Sequence, residues 1–144
     1  MGHVRILLAD DHKGILETVM RLLAVDFDVV GAVENGEQAV RAVAELDPDV
    51  VVLDITMPVM NGIEVASCLK ESGSRARVVF LTVHTGPAFL DAAFSAGALG
   101  YALKPHLNTD LVPAIREALE GRMFTSRCLG IGATAGIRSG AKAQ

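Results

Sequence analysis

Short apolar runs alternate along this chain with longer stretches of helical period, and the alternation predicts its architecture. Residues 4–9, 28–33, 50–54, 78–82 and 99–103 read as strands, and three of these runs are nearly continuous Val, Ile and Leu. Continuous apolar runs mark parallel strands covered on both faces, whereas a sheet with one wet face would alternate. Between the strands, Ile15, Val19, Leu22 and Leu23 mark a first helix, and Ala39, Val40, Val43 and Leu46 a second. Ile63, Val65, Ala66 and Leu69 mark a third, and Phe89, Ala92, Ala93 and Ala96 a fourth. Leu107, Leu111, Ile115 and Leu119 recur every four residues, so a fifth helix has a clear inner stripe. Asn108 and Thr109 are placed to cap its first turn and Gly121 to end it. Five strand–helix units predict an α/β fold: one five-stranded parallel sheet, doubly wound by five helices, in the flavodoxin-like strand order 2-1-3-4-5.

Length and composition narrow the function classes. A chain of 144 residues, half of them hydrophobic, suits one domain with a core of its own. No apolar run is long enough to span a bilayer and no charged, apolar, small-residue leader is visible, so the expectation is a cytoplasmic protein without membrane contact. Cys68 and Cys128 have neither metal-site nor CxxC spacing and read as core-filling or incidental thiols. Thirteen basic residues against 17 acidic ones give a formal charge of −4, without a basic stripe, which argues against direct nucleic-acid binding. From Ser126 onward Gly, Ala and Ser replace the periodic apolar residues, so the domain is expected over residues 1–122 and a flexible tail over 123–144, with no room for an output domain.

Charged and hydroxylic residues stand at the carboxyl ends of the predicted strands, where open parallel sheets bind ligands. Asp10 and Asp11 follow the first strand, Asp54 ends the third, Thr82 ends the fourth and Lys104 follows the fifth. Any one of them alone could be a helix cap or a solvated loop residue. Together they form a complementary set at one edge. Carboxylates at this density repel each other unless a cation neutralises them, and oxygen donors without a His or Cys cluster favour a hard ion such as Mg²⁺. Asp54, at the end of a buried strand, is the best placed to act as a nucleophile toward phosphorus, with Lys104 and the Thr82 hydroxyl holding phosphoryl oxygens.

These residues, with LLADDH, VVLDITMPVMNG, VVFLTVH and GALGYALKP in that order, resemble the response-regulator receiver domain of bacterial two-component systems, over about residues 4–122. The resemblance implies that Asp10 and Asp11 bind Mg²⁺ with Asp54 and the Thr56 backbone carbonyl. It also implies that Asp54 accepts a phosphoryl group from a phosphohistidine of a sensor histidine kinase or phosphotransfer protein, and that Lys104 contacts that group. Thr82 and Tyr101 carry over as a switch pair, in which the hydroxyl moves toward the phosphate and the ring turns inward. The Lys104–Pro105 peptide is expected to be cis. A phosphoryl group adds nearly two negative charges at one strand end, so the surface of helix four, strand five and helix five is the expected partner-binding or homodimer face.

Val83 is larger than the residue usual in this family, and His84 follows it; both are expected to alter the lifetime of the phosphate. His12 reads as a solvated loop residue, since scattered histidines lack ligand spacing. Rival readings meet specific obstacles. A haloacid-dehalogenase-like phosphatase needs a second Asp where Thr56 stands, and a flavodoxin-like FMN carrier would have to seat phosphate against ADDHKG. ADDH and EALEGRMFTS look like receivers that precede a LuxR-type helix-turn-helix. The tail, however, reads neither as a recognisable linker nor as a helix-turn-helix, so a stand-alone receiver is expected, against the alternatives of the receiver portion of a longer DNA-binding regulator or a phosphorylation-silent docking module. In either signalling form the only catalysis expected is self-phosphorylation and dephosphorylation.

Overall fold

The computed structural model describes residues 3–126. Its elements are β1 (Arg5–Ala9), α1 (Lys13–Leu23), β2 (Asp28–Val33), α2 (Gly36–Leu46), β3 (Val50–Leu53), α3 (Gly62–Glu71), β4 (Arg77–Thr82), α4 (Pro87–Ser95), β5 (Gly100–Leu103), α5 (Leu107–Leu119) and β6 (Phe124–Thr125). All strand pairings are parallel, in the order β2-β1-β3-β4-β5-β6. The five predicted strands and five helices are present in the predicted flavodoxin-like arrangement.

Successive strand residues point to opposite faces, and that alternation sorts the interior into two layers. Leu7, Val51, Leu53, Phe80, Tyr101 and Leu103 face α2, α3 and α4. Ile6, Leu8, Val50, Val52, Val79 and Leu81 face α1 and α5. The stripe read for α5 is buried at Leu107, Leu111 and Ile115, but two others are turned slightly: in α1 Leu16, Val19 and Leu23 are buried while Ile15 and Leu22 are only partly so, and in α4 Leu90 and Ala93 are buried while Phe89 is exposed. Along the β1–β2 pair the register slips between Ile6 and Leu7, leaving a bulge in the edge strand β2.

The sheet has six strands, not five. The reason lies at the end of α5, where Gly121 takes φ 76° and donates to Ala118 O while Arg122 donates to Glu117 O. This paired closure needs a left-handed residue, which glycine adopts without a steric penalty. Gly73 and Gly97 end α3 and α4 in the same way. The turn sends the chain back along β5, where Phe124 N donates to Leu99 O at 2.9 Å and Ser126 N to Tyr101 O at 3.0 Å. A two-residue strand has no period to read, so the predicted tail absorbed it. Ser126, the first residue of the stretch read as loose, is 1% exposed. The remainder of that predicted tail, Cys128 included, lies outside the described residues.

Two local expectations at the start of α5 are also corrected. No described peptide bond is cis, so Lys104–Pro105 is trans. Residues Lys104–His106 form a 3-10 turn closed by Leu107 N on Lys104 O, and a helical turn is built from trans peptides with proline's fixed φ near its start. That turn leads straight into α5, whose N-cap is His106 without a side-chain cap. Asn108 and Thr109 therefore fall inside the helix, and the Thr109 hydroxyl donates back to His106 O at 3.2 Å.

Candidate functional site

Parallel strands end on a common edge, and the order of this sheet decides which ends meet. β1 and β3 are neighbours with Ala9 opposite Leu53, so the residues that follow them, Asp10 and Asp54, leave the sheet side by side. Asp54 N donates to Ala9 O at 3.0 Å and Asp10 N to Val33 O at 3.1 Å, which ties both backbones to the sheet. Lys104 starts from the end of β5, beyond β4, and its long side chain reaches back across the edge. Its ammonium lies 2.8 Å from Asp10 Oδ2 and 2.9 Å from Asp54 Oδ2.

All three groups are buried: Asp10 and Asp54 are 4% exposed and Lys104 8%. Two carboxylates against one ammonium leave a buried surplus of negative charge. Desolvation opposes the charged form of Lys104, but hydrogen bonds and attraction from Asp10 and Asp54 outweigh it and raise its pKa. The remaining carboxylate oxygens are also used. Asp54 Oδ1 accepts from Ile55 N at 2.7 Å, and Asp10 Oδ1 accepts from His12 N at 2.9 Å.

The loop after β3 holds Asp54 in place from below. Gly62 N donates to Ile55 O at 2.7 Å, and a Cβ on Gly62 would lie 2.0 Å from Asp54 O, so only glycine lets α3 start this close to the acidic strand end. Asn61 caps α3 in a reciprocal pair with Glu64. Between them, Met60 N folds back on Pro58 O at 2.8 Å with Val59 at φ 73°, a strained conformation for a β-branched residue.

The β4–β5 half of the edge is built differently. Thr82 is fully buried and its hydroxyl accepts from His84 N at 3.3 Å. Tyr101 is also fully buried, between Phe80 and Phe94, and its hydroxyl donates to His84 O at 2.8 Å. Burial, reinforced by the negative charge of Asp54, pushes the Tyr101 phenol up to about 12. The His84 ring stacks on Phe89 with centroids 4.1 Å apart, and its Nε2 is 2.7 Å from Thr56 Oγ1. Thr56 and His84 thereby bridge the loops after β3 and β4 at the mouth of a cleft of about 570 Å³. His12, Ile15, Asp54, Val83, Lys104 and Pro105 also line this cleft.

The structure thus brings Asp10, Asp54 and Lys104 into direct contact. Thr82 and Tyr101 converge on the backbone of His84 rather than on the acidic groups, with the Tyr101 ring in the inward position. Val83 stands at the mouth, 61% exposed. His12 is exposed, as read from the sequence, but its contact with the acidic cluster was not foreseen. Its Nδ1 is 2.9 Å from Asp10 Oδ1, 3.2 Å from Asp11 Oδ1 and 3.5 Å from Lys104 Nζ, which ties it to the acidic cluster. The signal available was its place two residues after an Asp, where an aspartate side chain commonly accepts the backbone N–H.

The donor chemistry fits a hard divalent cation. Ligand atoms of Asp10, Asp11, His12 and Asp54 lie within 4.8 Å of one another, three of the four residues are carboxylates, and the buried surplus is negative. Asp11 is exposed and keeps that side of the cluster open.

The profile of the response regulator receiver domain matches residues 6–116. An uncharacterized transcriptional regulatory protein of Bacillus subtilis, YvfU, is 38% identical over 125 residues, 85% of this chain; the chain spans 62% of that relative's length. The chemotaxis protein CheY of Halobacterium salinarum is 34% identical over 80% of this chain and 96% of its own. Among solved structures, the receiver domain of the response regulator NarL from Mycobacterium tuberculosis superposes with a TM-score of 0.81 at 33% identity, covering 85% of this chain and all of that one.

Proposed function

The chain belongs to the response-regulator receiver family, and on that footing we propose that it is a phosphorylation-activated switch with Asp54 as the phosphoacceptor. One observation carries the reading: Asp54 stands at the end of a buried strand, 2.9 Å from the Lys104 ammonium, at the foot of an open cleft. The Asp54 carboxylate would attack the phosphorus of a phosphohistidine, forming an O–P bond as the N–P bond breaks, with the imidazole leaving as the stable ring. Lys104 would then turn its donor from Asp54 Oδ2 to a phosphoryl oxygen without leaving the buried cluster.

A Mg²⁺ ion would be held by Asp10, Asp11 and Asp54 with the Thr56 carbonyl, supplying the charge that offsets the phosphoryl oxygens. The Thr82 hydroxyl would be drawn toward the new dianion. Because Tyr101 shares the His84 backbone with Thr82, the two would respond together. The downstream face is assigned to α4, β5 and α5, for a protein target or a second copy, with β6 lying along the β5 edge. Relatives of both architectures, a CheY protein and transcriptional regulators, support the switch reading equally. Catalysis would be confined to the domain's own phosphorylation and dephosphorylation, and among the described residues no helix is long and apolar enough to cross a membrane.

Intact-mass analysis after incubation with Mg²⁺ and acetyl phosphate tests the assignment. One phosphoryl adduct is expected in the native protein and none in Asp54→Asn. An adduct retained in Asp54→Asn would overturn it. So would a native protein that neither takes an adduct nor binds beryllofluoride, which would make the fold a constitutive docking module.

A further inference from the structure

The residue just beyond β6 holds the strand that delivers both Tyr101 and Lys104. β5 is only four residues long, and one of its edges is held by β4. On the other edge β6 has ended by the level of Leu103, and the Ser126 side chain stands in for the missing carbonyl. Ser126 Oγ accepts from Leu103 N at 3.1 Å and donates to Asp110 Oδ2 at 2.6 Å, while Ser126 N donates to Tyr101 O at 3.0 Å. The hydroxyl is 1% exposed, and both of its hydrogen-bonding roles are used within the protein. Asp110, in the first turn of α5, fixes the direction of the hydroxyl. Leu103 is bonded directly to Lys104, so a rotation of its peptide re-aims the lysine.

We propose that Ser126, oriented by Asp110, is a positioning residue that sets where β5 places the Lys104 ammonium and the Tyr101 ring. The inference rests on the reading of Lys104 as the group that meets the phosphoryl oxygens. Its test has one arm that does not. Ser126→Ala removes the acceptor for Leu103 N, and Asp110→Ala removes the group that orients it. Asp110→Asn keeps an oxygen for the Ser126 hydroxyl.

In the unphosphorylated protein, the Lys104 Cε resonance is expected to move in Ser126→Ala and Asp110→Ala and to stay near its native position in Asp110→Asn. The resonances of Val29, in the far edge strand β2, should not change. Amide exchange at Leu103 should accelerate about fivefold in Ser126→Ala, the effect of one lost hydrogen bond. With acetyl phosphate at saturation, phosphorylation of Asp54 should slow by about the same factor in both alanine variants.

A Lys104 resonance and a phosphorylation rate indistinguishable from native in Ser126→Ala would overturn the inference. If Ser126→Ala does not fold, the contrast between Asp110→Ala and Asp110→Asn decides in its place. If the native protein takes no phosphoryl group, the switch reading fails, and the Lys104 resonance alone still decides whether Ser126 positions it.

Discussion

The two halves of the strand-end edge solve different problems with different chemistry. At β1 and β3, Asp10 and Asp54 are taken out of water with one ammonium between them, so that half is held by charge and is one positive charge short. At β4 and β5, Thr82 and Tyr101 are equally buried but neutral. Both are held by hydrogen bonds to the His84 backbone, and Tyr101 also by packing against Phe80 and Phe94. On the proposed function the charged half would take up a cation and a phosphoryl group, while the neutral half would rearrange without the cost of desolvating an ion. A site that must both capture charge and change shape gains from keeping these duties on separate strands.

The sharpest way to break this contrast is to remove the shared cation. Lys104→Met leaves two carboxylates buried without the ammonium between them and should cost about 3–5 kcal/mol in a urea melt, more than any comparable change on the β4–β5 side. Added Mg²⁺ should restore more stability to Lys104→Met than to the native protein; at a hundredfold excess over its dissociation constant a ligand contributes about 2.7 kcal/mol. Equal shifts in both proteins would mean that the ion binds elsewhere.

The neutral half should show itself at alkaline pH. The Tyr101 phenol keeps its proton up to about 12 in the folded state against 10 for an unhindered tyrosine. The unfolded chain loses the proton first, so stability falls as pH rises from 10 through about 12, by about 2–3 kcal/mol. Tyr101 is the only tyrosine, so absorbance near the phenolate band follows it directly. Tyr101→Phe should remove this component, leaving only the loss that accompanies titration of Lys104, whose pKa is also raised.

Smaller effects sharpen the comparison. At neutral pH Tyr101→Phe should cost about 1 kcal/mol, since it forfeits one neutral hydrogen bond to His84 O, and a cost near that of Lys104→Met would contradict the division of labour. The Val83→Ala, His84→Ala pair should leave the melting curve nearly unchanged. It should shorten the lifetime of the aspartyl phosphate by opening the Thr56–His84 bridge to water. An unchanged dephosphorylation rate would rule out a role for these residues.

Much of this arrangement was legible in the sequence because strand ends are legible. Continuous apolar runs mark buried parallel strands, and Asp10, Asp54 and Lys104 are the polar residues that terminate them, so one topological rule brings them together. What escaped notice depends on contacts with no periodic trace. β6 is two residues held by a backbone turn at Gly121, and the trans Lys104–Pro105 bond follows from a 3-10 turn that only the entry into α5 requires. His12 is exposed, as read from the sequence, but its contact with Asp10 was not legible, because that partner lies two residues earlier, a distance at which neither helix nor strand patterning carries information.

The bulge in β2 has a consequence for the molecule in a crowded solution. Both outer strands of the sheet are poor templates for growth: β2 is interrupted beside Leu7, and β6 offers only Phe124 and Thr125. A sheet whose inner strands are this rich in valine and leucine would otherwise invite stray chains to add to its margins. With those margins blunted, stray chains find little backbone on which to add a strand.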